Sequence, residues 1–332
     1  MNFSKGFSAS YYGMYVDPVT WRDVERFEIT SGSLSESDSD LISSADLQVT
    51  DWQGGERWIR IYLDARQGQS AQRVPMFTGL ATSPAKDIDG VRKTYKIECY
   101  SVLKPAADIL LQRGWYAPAG ISGALLVKRL LSGLAPVIEG ENAPALTSAI
   151  VAEDGESNLS MAHKILRAIN WRLRLLGDGT IMILPQAKDV SATFDAVKND
   201  IVEPSISYED DWYDCPNVFR AVADDLSATA RDDSPASPFS TVRRGREIWM
   251  EETSCDLADD ENIAEYALRR LKEEQEKSVK IGYNRRYDPN IAAGDLVRLH
   301  YPAQGIDGIF KVTSQKTDMS YGAKTSEEVK ST

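Results

Sequence analysis

Histidine and cysteine are scarce in this chain: His163 and His300 are the only histidines, and Cys99, Cys215 and Cys255 the only cysteines, among 332 residues. No pair of them has the two-to-five-residue spacing of a zinc site, and three widely separated thiols fit a reduced chain better than a disulfide framework. Long apolar runs are also missing. No stretch of eighteen apolar residues occurs, and the first thirty residues hold no basic segment followed by an apolar one, so neither membrane insertion nor a secretory leader is expected. The strings Gly-x-x-x-x-Gly-Lys-Ser/Thr, Gly-x-Ser-x-Gly and His-Glu-x-x-His do not appear, which removes the commonest phosphate, hydrolase and metalloprotease signatures. Basic charge is in deficit: 38 basic side chains face 50 acidic ones, for a formal charge of -12. That sign opposes an electrostatic grip on nucleic acid. What the chain does have is 42% hydrophobic residues and length for roughly two globular domains.

Residues 1–104 read as β structure. In Trp58-Ile-Arg-Ile-Tyr-Leu63 the residues Ile59, Ile61 and Leu63 alternate with Trp58, Arg60 and Tyr62, and Tyr95, Ile97 and Cys99 alternate with Lys96, Glu98 and Tyr100. Period two marks a sheet with two different faces. With Arg73–Gly79 as a further short strand and Asp87-Ile-Asp-Gly90 as a turn, the spacing predicts an antiparallel barrel or sandwich. Ser31-Gly-Ser-Leu-Ser-Glu-Ser-Asp-Ser-Asp40 is polar and serine-rich, and is expected to be an exposed loop.

Residues 105–186 change pattern. Ile121, Ala124, Leu125, Val127 and Leu131 recur at helical spacing, as do Leu159, Ala162, Ile165, Leu166 and Ile169 after a cap at Ser157 or Asn158. Trp171–Leu175 returns to alternation, Gly177-Asp-Gly179 turns the chain and Thr180–Leu184 runs back, giving a hairpin. These residues make a small α+β insert.

Residues 187–332 return to β structure around one helix, which is expected from Asp259-Asp260-Glu261 past Arg269-Arg270 to Lys277, acids at its positive end. Asn217–Val222 and Val279–Tyr283 are candidate strands, and Ala228–Phe239, with two prolines, is an expected loop. At the end of the chain, Gly294-Asp295 feeds Leu296–Leu299 and Asp307-Gly308 feeds Ile309–Val312, two closing strands each preceded by a glycine turn.

Candidate chemistry is thin. Glu209-Asp-Asp-Trp-Tyr-Asp214 offers carboxylates beside aromatics, as a glycosidase needs, but neighbours along one segment point in alternating directions, and a solvated loop is the preferred reading. Arg243-Arg244-Gly-Arg246 suits phosphate or a carboxylate-bearing protein surface, with the protein surface favoured. Trp21, Trp52, Trp115 and Trp212 are either interface anchors or parts of the core. His163 reads as a structural histidine. No catalytic, cofactor-binding or metal-binding residue is expected.

The closing segment, Tyr287-Asp-Pro-Asn-Ile-Ala-Ala-Gly294-Asp295 through Gln304-Gly305-Ile-Asp-Gly308 to Lys324-Thr-Ser-Glu-Glu328, resembles that of bacteriophage tail hub proteins. Further stretches in the same order look alike: Pro75–Pro84, Ile88-Asp-Gly90, Cys99–Pro105, Arg113-Gly-Trp-Tyr-Ala-Pro118, Glu153–Met161 and Gly177-Asp-Gly179. Residues 1–30 and 226–240 match least. The resemblance implies an α+β, mainly β chain: two tail-tube-like antiparallel β-barrel domains, 1–104 and 187–332, with the α+β insert 105–186 between them. It implies a homotrimer without enzymatic activity or cofactor, located in the virion at the tail tip or baseplate and made in the host bacterial cytoplasm. Such a hub links the hexameric tail tube or its initiator to a trimeric central spike, and anchors the end of the tape-measure protein. A distal tail or tube-initiator ring protein is the alternative, and a tail-associated cell-wall hydrolase ranks below it. No specific nucleic-acid binding is implied. From net charge, acids lining the ring interior would repel passing DNA, and the alternative is that the acid excess serves solubility alone.

Overall fold

The computed structural model describes residues 1–332 except 4, 40, 83, 90, 91, 197–201, 211, 224, 225, 254, 256–261, 277, 278 and 332. Seven strands open the chain: β1 (Ser8–Val16), β2 (Asp23–Ser37), β3 (Ser43–Val49), β4 (Arg57–Gln67), β5 (Ser70–Ala81), β6 (Ala85–Asp89) and β7 (Arg92–Ser101). Antiparallel pairings run β1–β4–β5–β7–β3–β2 and return from β2 to β1, while β6 folds back on β7. The expected alternation holds: Ile59, Ile61, Leu63 and Ala65 of β4, with Ala45, Leu47 and Val49 of β3, point into a core shared with Phe27, Phe77 and Ile97. Gly90, the expected turn residue after β6, lies outside the described residues.

The serine-rich segment corrects the sequence reading. Ser31–Ser37 is not a loop but the second half of β2, with Leu34 buried in the core. Serines at 31, 33, 35 and 37 keep strand period, and the tract is polar because the face it covers is polar.

The insert contains α1 (Lys104–Asp108), β8 (Tyr116–Ala117), α2 (Gly123–Leu130), β9 (Val137–Glu139), β10 (Ile150–Val151), α3 (Asn158–Ala168), β11 (Trp171–Leu175) and β12 (Ile181–Pro185). Ser157 caps α3, its hydroxyl accepting the Ser160 amide at 3.1 Å. Helix α2 buries Ala124, Leu126, Val127 and Leu130, so its apolar stripe is rotated from the expected one and leaves Leu125 only half-buried. β11 and β12 form the predicted hairpin, Trp171 opposite Pro185 and Leu175 opposite Ile181.

The remaining elements are β13 (Val190–Asp195), β14 (Val202–Asp210), β15 (Val218–Ala223), β16 (Leu226–Arg231), α4 (Thr241–Arg244), β17 (Trp249–Thr253), α5 (Ile263–Glu276), β18 (Val279–Arg286), β19 (Leu296–Tyr301), β20 (Ile306–Asp318) and β21 (Lys324–Ser331). A sheet runs β13–β19–β20–β21–β18–β14. Its β13–β19 pair is parallel, against the antiparallel expectation, because a long excursion of the chain separates these strands. Among the described residues β13 and β14 do not pair with each other, so the pairings here stop short of the ring seen in the first region. Gly308 lies inside β20; the turn before it is Pro302–Gln304 followed by Gly305, which takes the left-handed conformation at φ 73°.

Between β14 and β18 a side module has its own core. β16–β15–β17 form a three-stranded sheet packed on α5 through Phe219, Ala221, Tyr266, Ala267 and Leu271. Ala228–Arg231, expected in a loop, belongs to β16; only the residues after it are irregular. Helix α5 starts at Ile263, capped by the Asn262 carboxamide oxygen, which accepts the Ala264 and Glu265 amides at 3.0 Å each. The acids expected at its start, Asp259, Asp260 and Glu261, and Lys277 at its end lie outside the described residues.

The β11–β12 hairpin fastens the insert to the first region. Its tip lies on the β4–β5 pair, where buried Arg60 donates to the Asp178 carbonyl at 2.9 Å and its register partner Thr78 donates to the Gly177 carbonyl at 2.8 Å. A Cβ on Gly177 would sit 1.9 Å from the Pro75 carbonyl oxygen, so only glycine permits this approach. Gly177→Ala should therefore destabilise the fold by about 2 kcal/mol in urea unfolding. Gly322→Ala, with nothing within 4 Å of the added methyl, serves as the near-neutral comparison.

Candidate functional site

The two β regions are parts of one sheet. β2 pairs with β3 along Ile29–Glu36 and, on its other side, with β20 through Ser33 to Ser37 against Asp318 to Ser314. Residues in register across these strands form rows that cross from one region into the other. On the outward side they read Lys96–Gln48–Ser31, Glu98–Asp46–Ser33–Asp318, Tyr100–Ser44–Ser35–Lys316–Ser326–Asn284 and Ser37–Ser314–Glu328–Gly282–Ser207. No large aliphatic side chain stands in these rows, and both signs of charge are interspersed. Small side chains from both regions leave a groove of about 460 Å³ along Ser35 and Ser37 of the first and Ser207, Asn284 and Ser326 of the second. Along these rows the sheet has one side packed on cores and the other hydrophilic, as a face turned to water requires.

Directly behind the polar face lies a charged seam. The inward row Glu36–Gln315–Glu327–Tyr283 crosses β2, β20, β21 and β18. Arg285, fully buried, donates from Nε to Glu327 at 2.8 Å and from Nη2 to the Gln315 amide oxygen at 2.8 Å; Tyr283 donates to the same carboxylate. Gln315 passes the link to the first region, donating to Glu36 at 2.6 Å and to the Ile291 carbonyl at 3.1 Å. Burial pushes the Glu36 carboxyl above its ordinary value, against the opposing pull of Gln315, the Ala293 amide, Arg174 and Arg285.

A second junction ties the insert to the second region. Arg172 donates to Asp295 at 2.6 Å and to the Ala293 carbonyl at 3.2 Å, and Arg174 approaches the same aspartate at 3.3 Å. Asp295 is buried and also accepts the Ala292 amide at 3.0 Å. Sequence reading took Gly294-Asp295 for a plain turn; the alternating arginines of β11 were the signal that a buried carboxylate awaits them.

The weighed candidates separate. Glu209 stands opposite Lys280, one residue before β14 ends at Asp210, Trp212 and Tyr213 are exposed in the loop beyond it, and Asp211 lies outside the described residues, so the described acids of this cluster stand along one strand end and its loop. Arg244 and Arg246 serve the fold: Arg244 donates to the Cys215 and Tyr213 carbonyls at 2.8 Å, and Arg246 lies 4.4 Å over the Tyr213 ring. His300 lies 3.2 Å from Asp307, its register partner, and no cluster that could hold a metal occurs among the described residues. Trp52 is core, Trp21 and Trp115 pack against the insert's core, and Trp212 is exposed. Cys99, Cys215 and Cys255 are buried and unbonded to one another.

Charge is unevenly placed. Residues 200–276 hold 21 of the 50 acidic side chains but 8 of the 38 basic ones, so the acid excess belongs to the side module and its approaches and not to the shared polar face.

By sequence the chain matches no family model and no curated protein. By structure it is similar to the tail protein from Neisseria meningitidis, with TM-score 0.69 and 17% identity over 98% of this chain and 97% of that one. It is equally similar to the 43 kDa tail protein of prophage MuSo2 from Shewanella oneidensis, with TM-score 0.68 and 14% identity over 97% and 98%. An Escherichia coli component of the type VI secretion system, itself structurally similar to the T4 bacteriophage tail proteins gp27 and gp5, matches at TM-score 0.51 and 7% identity, over 92% of this chain and 74% of that one. The fold is that of bacteriophage tail proteins.

The Glu36 carboxyl gives a measurable consequence. Because the folded state holds its proton more tightly than the unfolded state, its contribution to stability is full below the ordinary carboxylate value and is lost as pH rises toward the raised folded value. Glu36→Gln should flatten that loss as pH rises above about 4, the ordinary carboxylate value, so that the variant gains on wild type with rising pH. Urea unfolding across this range reads it; an unchanged slope would show that Glu36 is not the group responsible.

Proposed function

We propose that this chain is a structural hub of a phage-type tail, acting as a homotrimer at the tail tip or baseplate of the virion. The observation that carries the reading is the single polar-faced sheet running through two β regions of one chain. Each region presents a comparable wall, so three copies in a ring offer six such walls on one side while keeping threefold symmetry overall. A hexameric tail tube or its initiator can dock on the six, and a trimeric central spike on the three. The polar face suits the wall of an aqueous passage through which a tape-measure end is anchored and the genome leaves. With both signs interspersed on that face, DNA would pass a wall without a strong field of either sign, and not the acidic lining that net charge alone suggests. No catalytic step is assigned, and the three parts divide at about residues 104 and 186.

Copy number decides the matter. Native mass spectrometry of the ring, or its symmetry in the assembled tail tip, should return three; six copies would favour a distal tail or tube-initiator ring, and a chain that stays monomeric with tube and spike proteins present would overturn the proposal. Incubation with peptidoglycan should release no fragments. Turnover that vanishes in Asp210→Asn would instead establish a wall hydrolase.

A further inference from the structure

The polar sheet ends in two free edges. Followed along its rows it runs β14–β18–β21–β20–β2–β3–β7–β6, four strands from the second region and four from the first, and every joint in that series is antiparallel. Among the described residues β14 pairs only with β18, and β6 only with β7. Each therefore keeps one side of its backbone N–H and C=O groups unused, which is a template for another strand. The first region does not cover β6: β5 meets β7 only at Cys99–Ser101, β6 takes the stretch Arg92–Lys96 beyond it, and all of β6 is exposed.

Both edges carry a large apolar side chain on the side where the sheet packs its cores. Ile88 stands opposite Lys93, on the side of β7 that bears the buried Ile97, yet it is 62% exposed. At the other end Tyr208 stands opposite the fully buried Ile281 and is 51% exposed. On the polar side the same two strands hold Asp87 and, at the far edge, Ser207 and Glu209, so the hydrophilic face runs out to both margins.

A second copy supplies the strand that fits. Directions alternate along an even number of strands, so β6 and β14 run oppositely. The β14 of a neighbour, laid beside β6 with the polar sides aligned, is then antiparallel to it, as at every other joint. The chain already contains a joint of this kind: β20, the last strand of the second region's four, meets β2, the first of the first region's four, and β6 against β14 repeats that step from first region to second. The alignment puts Ile88 and Tyr208 on the same side of the joint, where each can cover the other.

We infer that β6 of one copy pairs with β14 of the next, carrying the polar sheet from copy to copy, with Ile88 and Tyr208 packed together beneath the joint. The contact is heterologous, one edge meeting a different one, which is the arrangement that closes a ring. This rests on the trimeric reading above and adds which strands and side chains join the copies.

The test compares wild type with Ile88→Lys, Tyr208→Glu and the double variant by sedimentation and native mass spectrometry over a concentration series. Both side chains are largely exposed in the single chain, so circular dichroism and the thermal midpoint of the unassociated variants should match wild type. Each single variant should weaken association at least about tenfold, because it puts an unpaired charge where water is excluded, and the double variant should recover most of that loss, because every joint then sets a lysine against a glutamate. Amide exchange in β6 and β14 should slow when wild type assembles. Single variants that form trimers as tightly as wild type would overturn this inference and leave the hub reading intact. Losses in both single variants without recovery in the double would also overturn it, since the two side chains would not share a joint. A wild-type chain that stays monomeric with tube and spike proteins present would overturn both.

Discussion

The pairing of β2 with β20 is the constraint on which the rest depends, because a buried ion pair stands beside it. Arg285 and Glu327 have no exposure, and a charge removed from water is tolerable only when every donor and acceptor around it is used. Here Tyr283, Gln315 and Glu36 complete the set, and the last of these comes from the other β region. A one-residue slip of β20 against β2 would carry Gln315 to the polar face and leave the guanidinium unpartnered in the interior. The seam therefore acts as a register lock, holding two separately cored regions in one sheet.

The hairpin β11–β12 applies the same logic twice. Its tip docks on Arg60 and Thr78 of the first region, and its first strand sends Arg172 and Arg174 to Asp295 of the second. The insert is thus a strut between the regions. By contrast the side module joins this scheme in the chain through β14 and β18 and has its own core, so it bears the acid excess without disturbing the sheet.

Legibility followed periodicity. Ile59, Ile61 and Leu63 announced β4, and the Leu159–Ile169 spacing with Ser157 announced α3, because one buried side imposes a repeat that local sequence must carry. The same rule hid the second half of β2: its outward positions 31, 33, 35 and 37 are serines and one inward position is Glu36, so the alternation is written in polar residues and reads as a loop. Gly308 misled because a turn dipeptide and a strand glycine look identical in sequence, and Gly305 three residues earlier took the left-handed turn. Arg244 and Arg246 looked like an external binding patch, yet Arg244 and one hydrogen bond of Arg246 are directed at carbonyls about thirty residues away in the chain.

By itself the sequence determined the β regions, the helical insert and the absence of a recognisable catalytic or metal motif, since each is fixed by residue types within a short window. Only the tertiary structure decided that two regions share one sheet, that the rows crossing between them are polar on the outward side, and that Asp295 meets Arg172 and Arg174 while Glu36 and Arg285 meet through Gln315. Those facts depend on which strands meet and in what register, and register is set by long-range burial and hydrogen bonding between segments that the chain brings together only when it folds.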